Sequence, residues 1–405
     1  MASVAHSALA IDGGAPVRAT PFPGWPQIAA DEIAAAAAVL ASGKINYWTG
    51  DQGKKFEEEF AAAVDRKRAI TLANGSVALE LALYALGIGP GDEVIVPSRS
   101  FIASASCVSM RRAQPVFAEV ERDSGNVSAA TLAPRISKKT KAIIVVHLGG
   151  WPCDAGPIAD LAGKNKLKII EDCAQAQGAY YQKKPVGLFS DIAIFSFCQD
   201  KIMTTGGEGG MLVTDDEELF RRAWSFKDHG KSYEAVYERE HGSGFRWLHE
   251  SIGTNWRMTE MQSAMGRAML PKVEQRVQHR RRNATLLFQG FSSIGALRVP
   301  QPAGDLNAAF YRAYAYLRPE RLAAGWDRDR VQAAIEAEGI PCFAGSCSEI
   351  YLEKAFAKSA PAQRFPIARE LGETSLAFLV HHTLGEREML DTVTAVEKVF
   401  QRASR

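Results

Sequence analysis

A chain of 405 residues is too long for one ordinary core and implies two domains. With 46% hydrophobic and 23% charged residues it has the mix of a globular protein, and a formal net charge of +2 excludes bulk attraction to nucleic acid or to an anionic membrane. In chain order, residues 1–14 lack a basic start followed by a long apolar run, so no secretory signal is expected. The most apolar early stretch, 33–41, is far short of the ~20 residues that span a bilayer. The expectation is a cytoplasmic protein.

From about residue 56 to 214, short β-branched runs alternate with helical patterns. Strands are expected over 69–72, 93–97, 143–146, 168–171, 192–197 and 210–214, with amphipathic helices over 76–86 and 157–164. This alternation implies a mostly parallel sheet covered by helices on both faces, with ligands collecting where strands end and helices begin. Past residue 230 the character changes. Residues 231–252 are polar and rich in Gly, Glu and His, and are expected to form a loop. One long helix is expected over 259–289, then a strand near 314–317 and helices over 327–338 and 386–404. The division expected is a large α/β domain over 1–270 and a smaller α+β domain over 271–405. The basic run Arg280–Arg282 is expected on a solvated helix face. The six cysteines form no C-x-x-C pair and read as small buried hydrophobes in a reducing compartment. No metal set is expected.

Three segments carry chemistry. In Ile169-Ile170-Glu171-Asp172 an apolar strand runs out into acid, either as a solvated strand end or as a partner for a cation, with Gln175 following. In the segment from Phe195 to Lys201 a second apolar strand runs out into polar residues, with Ser196 and Lys201 five apart, and Lys201 lies between that strand and a loop holding Gly206, Gly207, Gly209 and Gly210. A lone lysine is ordinarily a surface charge. One placed between a buried strand and such a loop is a better nucleophile, because desolvation favours the neutral amine. Asn74-Gly75-Ser76 directly precedes a helix, and Ser76 is expected to cap it while the free N–H groups face an anion; an ordinary cap with nothing bound is the plainer reading. Together these pieces suit pyridoxal 5′-phosphate. That cofactor requires a phosphate cradle, a lysine, a carboxylate at its pyridine nitrogen and an aromatic face on its ring. Phe101 is either that face or a core phenylalanine.

The blocks ANGSVALELALYALGIGPGDEVIVPSRSFIAS (73–104), IIEDCAQAQGAYYQKKPVG (169–187), FSFCQDKIMTTGGEGGMLVT (195–214) and IGTNWRMTEMQSAMG (252–266) occur in order. In them the chain resembles the DegT/DnrJ/StrS sugar aminotransferases, of the fold-type I pyridoxal-phosphate enzymes, from about residue 25 to 400. The resemblance implies a large domain with a mostly parallel seven-stranded sheet between helices. It implies that Lys201 holds the cofactor and moves the proton, and that Asp172 pairs with the pyridine nitrogen. It further implies that Gln175 lies near the phenolic oxygen, Phe101 stacks on the ring, and Gly75, Ser76 and Ser196 hold the phosphate. Asn255 is implied to reach the phosphate of a partner subunit, making a homodimer with shared sites. His147 and His229 fall near substrate-side positions. The implied reaction is ping-pong transfer from L-glutamate, through pyridoxamine 5′-phosphate, to a nucleotide-linked keto sugar.

The chain also departs from the common pattern. The loop TTGGEGG has one extra glycine, Gly149 stands where a side chain is usual, and the 339–356 and 376–384 segments differ where a sugar would be handled. An enzyme forming an aromatic amine such as 3-amino-5-hydroxybenzoate is one alternative. A ligand-binding regulator on the same fold is another, but such a protein has no need for lysine, acid and cradle together.

Overall fold

The computed structural model describes residues 8–405, so the reading of 1–14 lies partly outside the described residues. In chain order the strands are β1 (Arg68–Leu72), β2 (Glu93–Pro97), β3 (Gln114–Ala118), β4 (Thr140–Val146), β5 (Lys168–Asp172), β6 (Tyr180–Tyr181), β7 (Lys184–Pro185), β8 (Ile192–Ser196) and β9 (Gly210–Thr214). They are followed by β10 (Leu297–Arg298), β11 (Leu306–Asn307), β12 (Ala313–Leu317), β13 (Cys342–Phe343) and β14 (Ser375–Phe378). A seven-stranded sheet runs β1-β9-β8-β5-β4-β2-β3. The five strands from β8 to β3 are parallel, and β9 is antiparallel to both β8 and β1. The six strands expected between residues 69 and 214 all belong to this sheet, and the one expected near 314–317 is β12 of a second sheet. The unexpected member, β3, carries Pro115, which lowers its strand signal; as an edge strand it tolerates a missing donor.

The sheet's strands are apolar on both faces because helices cover both sides. The helix Gly75–Ala85 buries Ala78, Leu79, Leu81, Ala82 and Leu83 in the same core as Ile70, Val94, Ile144 and Ile170. On the other face, Phe56, Phe60, Phe195 and Phe197 pack together with Met258 and Met269. A second sheet, β10-β12-β14-β13, packs with the helices Val273–Phe291, Arg328–Ala337 and Glu386–Ala403 around its own core. The cores do not follow one cut in the sequence. Leu9 joins the second core, while Ile350, Tyr351, Phe365 and Leu371 join the first.

Three local expectations are corrected. The single helix over 259–289 is two, Glu260–Met269 and Val273–Phe291, joined by the turn Leu270–Lys272. Pro271 sits in that turn, where it cannot donate to a continuous helix. The loop expected over 231–252 contains a short helix, Tyr233–Tyr237, whose Ala235 N–H donates to the Ser232 hydroxyl at 3.2 Å. The arginine run is not a solvated face. Arg280 is 1% exposed and donates to the carbonyls of Phe310 and Tyr311, and Arg281 donates to those of Ala308 and Gly178. Only Arg282 of the three is exposed. Helical periodicity placed these residues on a helix, but which face is buried depends on the 306–311 segment packed against it. Among the described residues, no helix is long and apolar enough to cross a membrane.

Candidate active site

Parallel strands end together, so β4, β5 and β8 deliver their last residues to one edge of the sheet. The two acids that close β5 point to opposite faces, as alternation requires. Glu171 is wholly satisfied by protein. One oxygen accepts from His147 Nε2 at 3.0 Å and the Gly187 N–H, the other from the Phe189 N–H and the Ser190 hydroxyl. Burial pushes its carboxyl up, but these donors outweigh it and hold Glu171 below the ordinary range. Asp172 is different. It is 6% exposed and accepts only from neutral donors, the Ser104 hydroxyl and the Ala174 N–H, each at 3.1 Å. Burial dominates and raises its carboxyl, against these two bonds and the charge of Lys201. A buried carboxylate with so little compensation calls for a cation.

Beside it the chain closes a second feature. Gly210, at the start of β9, lies opposite both Leu72 at the end of β1 and Ser196 at the end of β8. These registers gather Asn74-Gly75-Ser76 and Ser196 at one point. The helix there is capped by Asn74, whose side chain accepts the Val77 N–H at 3.0 Å. Ser76, expected as the cap, is instead an exposed residue of the first turn. Asn74 at the N-cap position takes the Val77 amide, which leaves the Ser76 hydroxyl and the first amides for an anion. A Cβ on Gly75 would lie 2.8 Å from Ser196 Cβ, so glycine is what lets this turn approach the strand end. Gln177 braces the same point by donating to the Ser196 carbonyl at 2.7 Å.

Lys201 follows β8 and faces this edge. Its Nζ lies 3.1 Å from Asp200 Oδ1 and 5.0 Å from the centre of the Tyr311 ring, and its carbonyl accepts the Trp25 indole N–H at 3.0 Å. Phe101 is 65% exposed, an unusual state for a phenylalanine beside a buried acid. Its carbonyl accepts the N–H of Ser104, the same residue whose hydroxyl reaches Asp172. Gln175 accepts the Gly149 N–H through Oε1 at 2.7 Å, which leaves its amide nitrogen as a donor. The acid, the lysine, the cradle and the free aromatic face are thus at one sheet edge. The DegT/DnrJ/EryC1/StrS aminotransferase family matches residues 26–397.

The chain belongs to that family.

This aminotransferase is 49% identical to the crystal structure of an aminotransferase from Psychrobacter cryohalolentis, with a TM-score of 0.93 over 94% of this chain and 99% of that one. It is 36% identical to the GDP-perosamine synthase of Caulobacter vibrioides over 87% of this chain and 92% of the relative. It is 33% identical to the dTDP-3-amino-3,4,6-trideoxy-alpha-D-glucose transaminase of Streptomyces venezuelae over 93% and 94%. The fold is that of the fold-type I transferases.

Among the residues singled out from sequence, His147 is corrected. It is 1% exposed, its Nδ1 accepts the Cys153 N–H at 3.0 Å and its Nε2 donates to Glu171. No ring nitrogen is left for a substrate, so in this aminotransferase His147 braces the β4 and β5 ends. With Cys173 it completes three ligand-type groups within 4.8 Å. The pair is already satisfied, and burial lifts the Cys173 thiol well above its ordinary value, so the set reads as core. His229 is exposed, with φ 60°, and its N–H donates to the Thr254 carbonyl. It adjoins Asn255, which is exposed and bridges to Asp228. The next residue, Trp256, accepts the Ala73 N–H at 2.9 Å, so the Asn255 strip lies against the approach to its own chain's cradle. Gly149, where a side chain is usual, has φ 64°, and a Cβ there would lie 3.0 Å from the Tyr314 ring; Tyr314 fills that space. Ser104, Asp200 and Tyr311 were missed from sequence. Ser104 follows Phe101 at helical spacing and Asp200 adjoins Lys201, but Tyr311 gave no signal.

Proposed function

We propose that this aminotransferase uses pyridoxal 5′-phosphate to move an amino group from L-glutamate to a keto group of a nucleotide-linked deoxysugar, in a cytoplasmic ping-pong reaction serving surface polysaccharide or related amino-sugar synthesis. The observation that carries the reading is the buried Asp172 carboxylate, held by neutral donors alone at the edge where Lys201 ends its turn. The two relatives named above make amino sugars carried on GDP and dTDP, which supports the substrate class.

The residues divide the work. Gly75, Ser76 and Ser196 hold the phosphate through the first amides and hydroxyls of the cradle. Phe101 covers the ring, and the Gln175 amide donates at its phenolic oxygen. Asp172 accepts from the pyridine nitrogen and keeps it protonated. When bound, the cofactor supplies an electron sink for the substrate carbanion. Lys201 Nζ would hold the cofactor between turnovers, and as a free neutral amine it takes the proton from the substrate carbon. The exposed His229 is kept as a substrate-side candidate.

A screen of keto-sugar nucleotides with glutamate, read by mass, tests the reading. A product in which the keto oxygen has been replaced by an amino group is expected. Amination of a cyclic aromatic precursor instead would support the aromatic-amine alternative, and no glutamate-dependent spectral change would support the regulator.

Sharing of sites between two chains is testable by complementation. Asn255→Asp places a negative charge beside the phosphate, and Lys201→Ala removes the tether. Co-expressed, the two variants should recover about a quarter of wild-type activity if Asn255 serves the partner's site, since half the dimers are mixed and each holds one intact site. No recovery would mean that Asn255 acts within its own chain.

A further inference from the structure

A lysine that is released and recaptured in each turnover needs a resting place, or its four-carbon stem carries the amine away from the reacting atoms. The structure supplies one. Asp200 Oδ1 lies 3.1 Å from Lys201 Nζ, and its second oxygen accepts the Tyr311 hydroxyl. The Tyr311 ring then lies against the same amine, with its centre 5.0 Å from Nζ. Tyr311 is 8% exposed and belongs to the aromatic core beside the strand ends, so its hydroxyl is a fixed point. It lies two residues before β12, and Trp25 holds the lysine's own carbonyl at 3.0 Å. The adjacent Asp200 and the distant Tyr311 therefore meet at one amine, and of the two Asp200 brings it a charge.

We propose that Asp200 and Tyr311 form a clamp that docks the free Lys201 amine: Asp200 supplies the counter-charge, and Tyr311 fixes the carboxylate that bears it. Both are positioning residues acting through Lys201, and the proposal rests on the function assigned above to that lysine. Burial alone would raise the Asp200 carboxyl, but the Lys201 charge and the Tyr311 hydroxyl hold it below the ordinary range, so the clamp is anionic at neutral pH. An isolated exposed ion pair would do little. This one is anchored at its second oxygen, so the geometry does not have to be reassembled at each cycle.

The test reads the amine directly. The full chain freed of cofactor is treated at pH 7 with an acylating reagent that attacks only uncharged amines, and modification of Lys201 is followed by peptide mass. Asp200→Asn keeps shape and removes charge; Tyr311→Phe keeps the ring and removes the hydroxyl. Acylation of Lys201 is expected to speed up about tenfold in Asp200→Asn and less in Tyr311→Phe. Asp200→Glu, which keeps the charge, should restore most of the protection. In the loaded enzyme, Asp200→Asn should lower kcat about tenfold with KM for the amino donor within about threefold, because docking serves proton transfer and not donor binding. Wild-type acylation rates in both Asp200→Asn and Tyr311→Phe would overturn the clamp. Failure of the function itself shows elsewhere, as borohydride leaving no cofactor on the wild-type Lys201 peptide, and would leave the acylation result standing.

Discussion

Lys201→Ala is expected to lose turnover by at least about a thousandfold and to retain no covalently trapped cofactor after borohydride reduction. The size follows from two roles lost together: the tether and the proton carrier are the same nitrogen. The fold should survive, because the lysine amine's hydrogen bond is to the adjacent Asp200 and its ring contact is to Tyr311, while the backbone contact to Trp25 is independent of the side chain. Circular dichroism should therefore match the wild type. Purified wild-type protein should be yellow and should lose that colour when glutamate is added. If reduction still fixes cofactor to the variant, another lysine carries it and the assignment of Lys201 is wrong.

Asp172→Asn should separate activity from stability. Turnover is expected to fall by about 10²–10⁴-fold, since a neutral amide no longer favours a proton on the pyridine nitrogen. The cofactor-free protein should nevertheless become more heat-stable at neutral pH. The Asp172 carboxyl is raised by burial, so its folded value lies above its unfolded one. An acid shifted that way contributes most below its unfolded value and loses that contribution as pH rises through the folded value. The wild-type apoprotein should thus lose stability between mildly acidic and neutral pH more than the variant does. Melting curves at several pH values, with and without cofactor, measure this. Unchanged turnover would remove Asp172 from its role, and an unchanged pH profile of melting would remove the claim that its charge is poorly compensated.

Much of this was legible along the chain. Apolar runs that break into Glu171-Asp172 and into Ser196, and glycines spaced as in the 206–210 loop, mark strand ends and close approaches wherever they fold, because period-two burial and backbone freedom are local properties. That is why the parallel strands and the lysine, acid and cradle could be proposed before any coordinates. What the chain alone left open depends on partners far away in sequence. Whether Glu171 or Asp172 is the uncompensated acid is decided by His147 and Ser190 on one face and Ser104 on the other. His147 read as a substrate contact until the Cys153 amide and Glu171 took both of its nitrogens. Arg280 read as solvated until the 310–311 carbonyls closed over it. Tyr311 carries no signal at all until folding brings it to Asp200 from more than a hundred residues away. Residue types able to do the chemistry, and the strand ends that present them, can be read along the chain. How each charge is compensated cannot, because the free energy of a buried charge is set by the neighbours that replace its water, not by its place in the chain.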